Sequence, residues 1–244
     1  MNFENRMDPV VRFRIEKAAV DCGFEMEPVD RDGGLELRSA RFQESMFVRR
    51  IDAATYEVVA STSLLLDGAS SDRTTTAQGI GALYEVLRTA GAHARTLPTR
   101  VADEFKEVTA TLPRGTEAER LVIQRVGQGL FRAALLDYWQ GRCCVSGLDV
   151  PELLRASHIR PWALCDTDEQ RLDVFNGLLL APHLDALFDV GLMTFDDDGF
   201  LNIANQLGRG QRQRLGLTDG MKVHGIRPEH LEYLRFHRVH VWRG

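Results

Sequence analysis

The segment from Arg142 to Ala204 constrains this chain more than any other, because it holds the densest group of side chains that can bind a metal or transfer a proton. Those side chains are His158, Asn176, His183, Asp185 and Asp189. We expect a strand over residues 145–147 and a second strand that ends at His158. Pro161 then ends regular structure, because its ring fixes φ and it lacks a backbone N–H.

An apolar run and a short helix are predicted after this break. The run covers Leu178 to Leu180, and Pro182 suits the first position of a helix, where its missing N–H costs nothing. Asp185 and Asp189 are four residues apart and therefore share one face of that helix. Hydrolysis of a phosphodiester needs a base for the attacking water and a cation for the charge on the phosphate. Taken alone, these residues indicate a metal-dependent hydrolase and nothing more specific.

Four ordered motifs narrow this interpretation to a family. They are GRCCVSG, LLRASHIRPW, RLDVFNGLLLAPHLDALFD and GLMTF, and together they resemble the HNH endonuclease domain of many bacterial restriction-type proteins. The preceding ERLVIQRVGQGLFRAALLDYW resembles the helical lead-in of those proteins. The resemblance covers Glu117 to Ala204. It implies a ββα-metal nuclease that hydrolyses phosphodiester bonds in DNA.

The resemblance also assigns roles to single residues. His158 matches the general base that activates water, and Asn176 matches the residue that braces the loop and orients this histidine. The third motif position is open between His183 and Asp185, and both are candidate metal ligands. Many relatives carry an Asp directly before the catalytic histidine, where this chain has Ser157. An oxygen-rich shell of this kind suits Mg²⁺ or Mn²⁺ better than Zn²⁺.

We predict an α+β fold with a small N-terminal α/β unit, a helical connector and a C-terminal ββα-metal domain. The predicted domains are residues 1–112, which would read DNA or sense a signal, and residues 113–244, the nuclease with its lead-in. Pro113 to Gly115 would form the boundary, and Thr116 with Glu119 would form a capping box. The N-terminal unit should begin with a helix at Pro9 and a hairpin, and end with helices over residues 74–91 and 97–112.

Charge and cysteine content limit the classes of function. The net charge of −5 argues against a general DNA coat, although a local groove would suffice for a nuclease. From Asn205 onward basic residues outnumber acidic ones, which fits either a phosphate-binding surface or a solvated one. The four cysteines form no CxxC pair, so no zinc site is expected. No membrane span or signal peptide is predicted, and we expect a cytoplasmic protein.

Three functions remain in competition at this point. The first is a metal-dependent DNA endonuclease of restriction or antiviral defence, whose partner is DNA and which acts as a homodimer by analogy with one-site HNH units. The second is a non-catalytic DNA-binding protein on a decayed HNH fold, which the missing Asp before His158 favours. The third is an effector nuclease gated by a small signal, which the acidic net charge favours.

Overall fold

The computed structural model describes residues 7–66 and 73–244, and the chain divides after Arg95 into two compact units. The first unit is a five-stranded antiparallel meander in the order β1-β2-β3-β4-β5 with two helices. Its elements are α1 (Pro9–Asp21), β1 (Val29–Arg31), β2 (Gly34–Leu37), β3 (Met46–Arg50), β4 (Thr55–Ala60), β5 (Thr74–Gln78) and α2 (Gly79–Arg95).

Local sequence explains the first unit except at β5. Asp8 caps α1 by accepting hydrogen bonds from the Val10 and Val11 amides, and Asp32 with Gly33 makes the β1–β2 turn at positive φ. The helix predicted over residues 74–91 is wrong at its start, where Thr74–Gln78 pairs with β4 instead. Three consecutive threonines favour an extended chain, because a branched Cβ restricts χ1 in a helix.

The second unit, Thr96–Gly244, contains the segment of interest. Its elements are α3 (Pro98–Thr109), α4 (Glu117–Tyr138), β6 (Arg155–His158), α5 (Asp168–Leu172), β7 (Gly177–Leu180), α6 (Pro182–Asp189), β8 (Met193–Phe195), β9 (Leu201–Ile203), α7 (Arg209–Arg214) and α8 (Pro228–His240). Helices and strands are mixed, as the predicted α+β class requires. In the described ranges no helix is both long and apolar enough to cross a membrane.

The division between the units lies before α3, whereas the sequence places the domain boundary at 112/113. The difference arises because α3 packs against α4 and α5, both of which belong to the second unit. Thr116 and Glu119 form the predicted capping box at the start of α4. Pro113 to Gly115 is therefore a connection between two helices that pack together.

The ββα core consists of β6, β7 and α6. β6 and β7 are antiparallel, with His158 opposite Gly177. A Cβ on Gly177 would lie 2.7 Å from side-chain atoms of Leu135 and of Phe131, so only glycine lets this strand approach α4 so closely. The strand predicted over residues 145–147 is a turn.

Candidate active site

His158 stands at the end of β6 and its side chain is fixed by the loop that follows. Its Nε2 lies 2.8 Å from the backbone carbonyl oxygen of Arg171. A carbonyl can only accept a hydrogen bond, so Nε2 carries the proton and Nδ1 keeps its lone pair. In the described part of the chain Nδ1 makes no hydrogen bond. It is also not one of the side-chain nitrogen and oxygen atoms there that are buried without a hydrogen-bond partner. The geometry thus leaves one ring nitrogen able to accept a proton.

Two aromatic rings enclose the rest of the imidazole. Phe131 from α4 stacks on it at a centroid distance of 3.8 Å, and Trp162 meets it edge-on at 5.5 Å. Burial against these rings disfavours the charged form and lowers the pKa of His158 to about 4. The Arg171 carbonyl opposes this shift because it stabilises the protonated ring. At neutral pH the imidazole is therefore in its basic, uncharged form.

Asn176 braces the loop between β6 and β7 and is fully buried. Its Oδ1 accepts from the Arg160 amide at 2.7 Å, while Nδ2 donates to the carbonyls of Arg160 and Gln170 at 3.2 and 3.0 Å. Its own carbonyl accepts from the Ile159 amide at 2.9 Å. The side chain therefore joins both ends of the loop. Its partner Gln170 directly precedes Arg171, whose carbonyl accepts the hydrogen bond from His158.

Asp185 and Asp189 form a carboxylate pair on one face of α6, opposite Ser157. The Ser157 hydroxyl donates to Asp189 Oδ1 at 3.2 Å and also interacts with Asp185. Burial raises the pKa of both carboxyls, and for Asp185 the charge of Asp189 raises it further. One hydroxyl has a single proton for two carboxylates, and neither acid forms an ion pair within the described ranges. The pair therefore has unused acceptor capacity.

The oxygen donors of this pair fit a hard divalent cation. Mg²⁺ and Mn²⁺ are commonly held by one or two carboxylates with water completing the shell, and a cation would relieve the repulsion that raises the pKa of Asp185. No group of three or more His, Cys, Asp or Glu side chains suited to a metal occurs among the described residues. The donor set accordingly fits a cation with a water-rich shell better than a closed zinc site.

His183, the other residue predicted as a ligand, lies elsewhere on α6. It stands two positions before Asp185, which corresponds to about 200° of rotation around a helix, so the two side chains point in different directions. The His183 side chain is exposed, whereas Asp185 is half-buried. The structure brings Asp185 together with Ser157 and Asp189, and it does not bring His183 to that group.

A cavity of about 350 Å³ lies beside His158 and Asp189, and we refer to it as the His158 cavity. Its lining includes Ser157, His158, Trp162, Asp189 and His237. From the sequence, His237 is expected to be a surface or packing histidine, although it stands three residues before His240. In the fold it is buried, it stacks on Phe188 at 3.8 Å, and burial lowers its pKa to about 4.

His237 holds the end of α6 rather than offering a free ligand nitrogen. Nε2 donates to the Phe188 carbonyl at 3.1 Å, which fixes the tautomer, so Nδ1 accepts from the Thr194 hydroxyl at 3.0 Å. Both nitrogens are used. Because Phe188 immediately precedes Asp189, this contact positions the backbone that carries the second carboxylate.

Several basic residues whose charge could bind phosphate have partners within the fold. Arg132 on α4 donates to the carbonyls of Leu154 and Pro151 at 2.6 and 2.8 Å. On α8, Arg235 and Arg238 both pair with Asp197 in the β8–β9 turn. Asp197, which lies about forty residues before these arginines, therefore neutralises part of the positive charge near the C-terminus.

Comparison with known families agrees with this geometry. Residues 143–196 match the family model described as HNH endonuclease. The matched segment contains β6, β7, α6 and β8, and it includes His158, Asn176 and the carboxylate pair. No curated protein matches the chain significantly. The family predicted from the sequence motifs is therefore confirmed for this segment.

Proposed function

We propose that this chain, whose residues 143–196 belong to the HNH endonuclease family, is a metal-dependent DNA endonuclease with His158 as its general base. The observation that carries the proposal is the hydrogen bond from Nε2 to the Arg171 carbonyl, which reserves Nδ1 for a proton from water. The same cavity contains Asp189 and Ser157, so base and oxygen donors face one space. That arrangement serves in-line attack of water on a phosphodiester.

In this proposal each residue of the site has a separate role in hydrolysis. His158 Nδ1 takes a proton from the attacking water, and the Arg171 carbonyl stabilises the imidazolium that results. Asn176 keeps the loop with that carbonyl in place. Asp185 and Asp189, with Ser157 between them, would hold Mg²⁺ or Mn²⁺. When bound, such an ion neutralises charge on the phosphate and on the leaving oxygen.

A plasmid cleavage assay tests this proposal. Purified protein is incubated with supercoiled DNA in Mg²⁺, Mn²⁺ or EDTA, beside His158→Ala, Asp185→Asn and His183→Ala. We expect metal-dependent cutting that is lost in His158→Ala and strongly reduced in Asp185→Asn. His183→Ala should cut normally, because its side chain is exposed away from the carboxylate pair. Circular dichroism spectra identical to wild type show that each variant is folded.

A non-catalytic DNA-binding protein on a decayed HNH fold is the second candidate. The observation that favours it is the lack of a three-ligand group in the described part of the chain. The same assay separates the two functions, because a binding module would retain DNA affinity without cutting in any metal. Isothermal titration of wild type and Asp185→Asn with Mn²⁺ gives an independent readout of the carboxylate pair.

The biological setting we propose is restriction or antiviral defence, with residues 1–112 as the DNA-reading or signal-sensing part. Support comes from the separate compact unit that ends at Arg95. Comparison of modified and unmodified plasmids tests a reading role. Each chain carries one His158, so cutting both strands would require two copies. Sedimentation of the protein with DNA tests this proposed homodimer.

A further inference from the structure

A second cavity of the same unit lies between α3, α4 and α5, and we refer to it as the arginine cavity. It measures about 600 Å³. Three arginines line it together with apolar groups: Arg114, Arg120, Arg171, Phe105, Ile123 and Trp162. Trp162 also lines the His158 cavity, so the two cavities share this lining residue.

The charge of this cavity is positive and largely uncompensated. Asp168 is the acidic residue of its lining, and it is already paired with Arg171 at 2.9 Å. Arg171 also donates to the carbonyls of Trp162 and Cys165, which fixes its guanidinium. The exposed Arg120 side chain makes no hydrogen bond or ion pair in the part of the chain that the structure describes. Arg114 makes one 3.4 Å contact, with the Thr109 hydroxyl.

Two aromatic rings, Phe105 and Trp162, line the arginine cavity, and both pack against α4 at Gly127. A Cβ on Gly127 of α4 would lie 2.7 Å from Trp162 and 3.2 Å from Phe105, so both rings reach the helix backbone only because this position has no side chain. The Arg171 guanidinium lies 5.9 Å from the centre of the Trp162 ring. An aromatic surface beside unpaired cations is the combination that proteins use for a base and its phosphate.

We propose that the arginine cavity binds a nucleotide, with the phosphate on Arg114 and Arg120 and the base against Trp162. This inference rests on the proposed nuclease function for the identity of the neighbouring site. Because Trp162 borders both cavities, a nucleotide here would lie beside the phosphodiester that faces His158. The nucleotide can belong to the DNA strand being cut or can be a free mononucleotide, and both present the same chemistry.

The first measurement is DNA binding without cleavage, in EDTA and in the His158→Ala background. Arg114→Ala with Arg120→Ala should weaken binding of a fluorescent oligonucleotide about tenfold and lower the slope of log affinity against log salt by about 1 to 2. Arg125→Ala is the matched control. It is matched to Arg120→Ala alone, because it removes one positive charge from an exposed position of α4 outside the cavity lining, and it should change affinity by less than about twofold.

The second measurement uses tryptophan fluorescence to find the source of the nucleotide. Stacking of a base should quench Trp162, and the quenching should vanish in Trp162→Phe. Saturable quenching by dAMP that depends on Arg120 assigns a free nucleotide, whereas quenching by oligonucleotides alone assigns the DNA strand.

The inference falls if the double arginine variant binds both probes as well as Arg125→Ala does. This outcome is separate from the fate of the proposed function, since binding is scored without any cutting. If wild type cleaves DNA and the double arginine variant binds it normally, the nuclease function is supported and nucleotide binding in the arginine cavity is refuted. If binding depends on the two arginines but no DNA is cleaved, nucleotide binding in the arginine cavity is supported and the nuclease function is refuted.

Discussion

Asn176→Ala is the substitution whose effect follows most directly from the structure. The side chain is fully buried, and its amide satisfies three backbone groups, namely the Arg160 N–H, the Arg160 carbonyl and the Gln170 carbonyl. Each buried backbone group left without a partner costs about 1 to 3 kcal/mol. The Arg160 carbonyl keeps a contact from the Cys165 thiol at 3.5 Å, so two groups lose their partner, and we expect the free energy of unfolding of the second unit to fall by about 2 kcal/mol or more.

The assay is urea unfolding followed by tryptophan fluorescence. All three tryptophans, Trp139, Trp162 and Trp242, belong to the second unit, so the signal reports on that unit. Asn205→Ala, the same change at an exposed position, should alter stability by about 0.5 kcal/mol or less. Asn176→Asp is informative as well, since it keeps the acceptor for the Arg160 amide and loses the donors to the two carbonyls.

The same substitution should reduce catalysis beyond its effect on stability. Freeing the loop releases the Arg171 carbonyl that selects the tautomer of His158, and misplacement of a base by about 1 Å costs roughly a hundredfold in rate. DNA affinity in EDTA should change little. A loss of stability below about 1 kcal/mol, or cutting at the wild-type rate, would refute this account of Asn176.

Three further outcomes are expected. Gly127→Ala should destabilise the second unit by about 1 to 3 kcal/mol because the new Cβ would lie 2.7 Å from Trp162, whereas Gly129→Ala, with open space around it, should stabilise it by about 0.5 to 1 kcal/mol in urea unfolding. His237→Ala should raise the Mg²⁺ concentration needed for half-maximal cutting, with excess Mg²⁺ restoring the rate, because α6 loses its anchor at the end that carries the carboxylates. The pKa of His158 and of His237 is lowered from 6.5 to about 4, so their contribution to stability is complete above pH 6.5 and is lost as the pH falls through 4. Between pH 7.5 and 5 wild type should therefore lose about 2 kcal/mol more than His237→Phe, and equal losses would contradict this.

Local signals predicted the elements that carry the motifs. A capping acid before Pro9, the box at Thr116 and the proline at position 182 each fix a helix start through contacts within four residues. β5 was missed because its partner, β4, lies across a connection that local pattern does not describe. A threonine run is ambiguous until a neighbouring strand offers its hydrogen bonds.

For the candidate site, the order of the motifs in the sequence indicated which residues to consider, and the fold showed which groups they contact. Ser157 entered as a departure from the family pattern, yet in the structure its hydroxyl is the donor between two carboxylates. His183 and Asp185 were equivalent candidates in the sequence. Helix rotation separates them, since only Asp185 shares a face with Asp189. His237 was unremarkable until α8 brought it against the end of α6.

The sequence by itself determined the match of residues 143–196 to the HNH endonuclease family and the α+β class, and it gave His158, Asn176 and Asp185 as candidate site residues, because motifs and periodicity are properties of neighbouring residues. Tertiary structure decided which nitrogen of His158 is free, because that depends on a carbonyl thirteen residues away. It also decided that α3 belongs with the second unit and that Trp162 lines two cavities. Such contacts depend on how distant segments pack, and no short stretch of sequence encodes them.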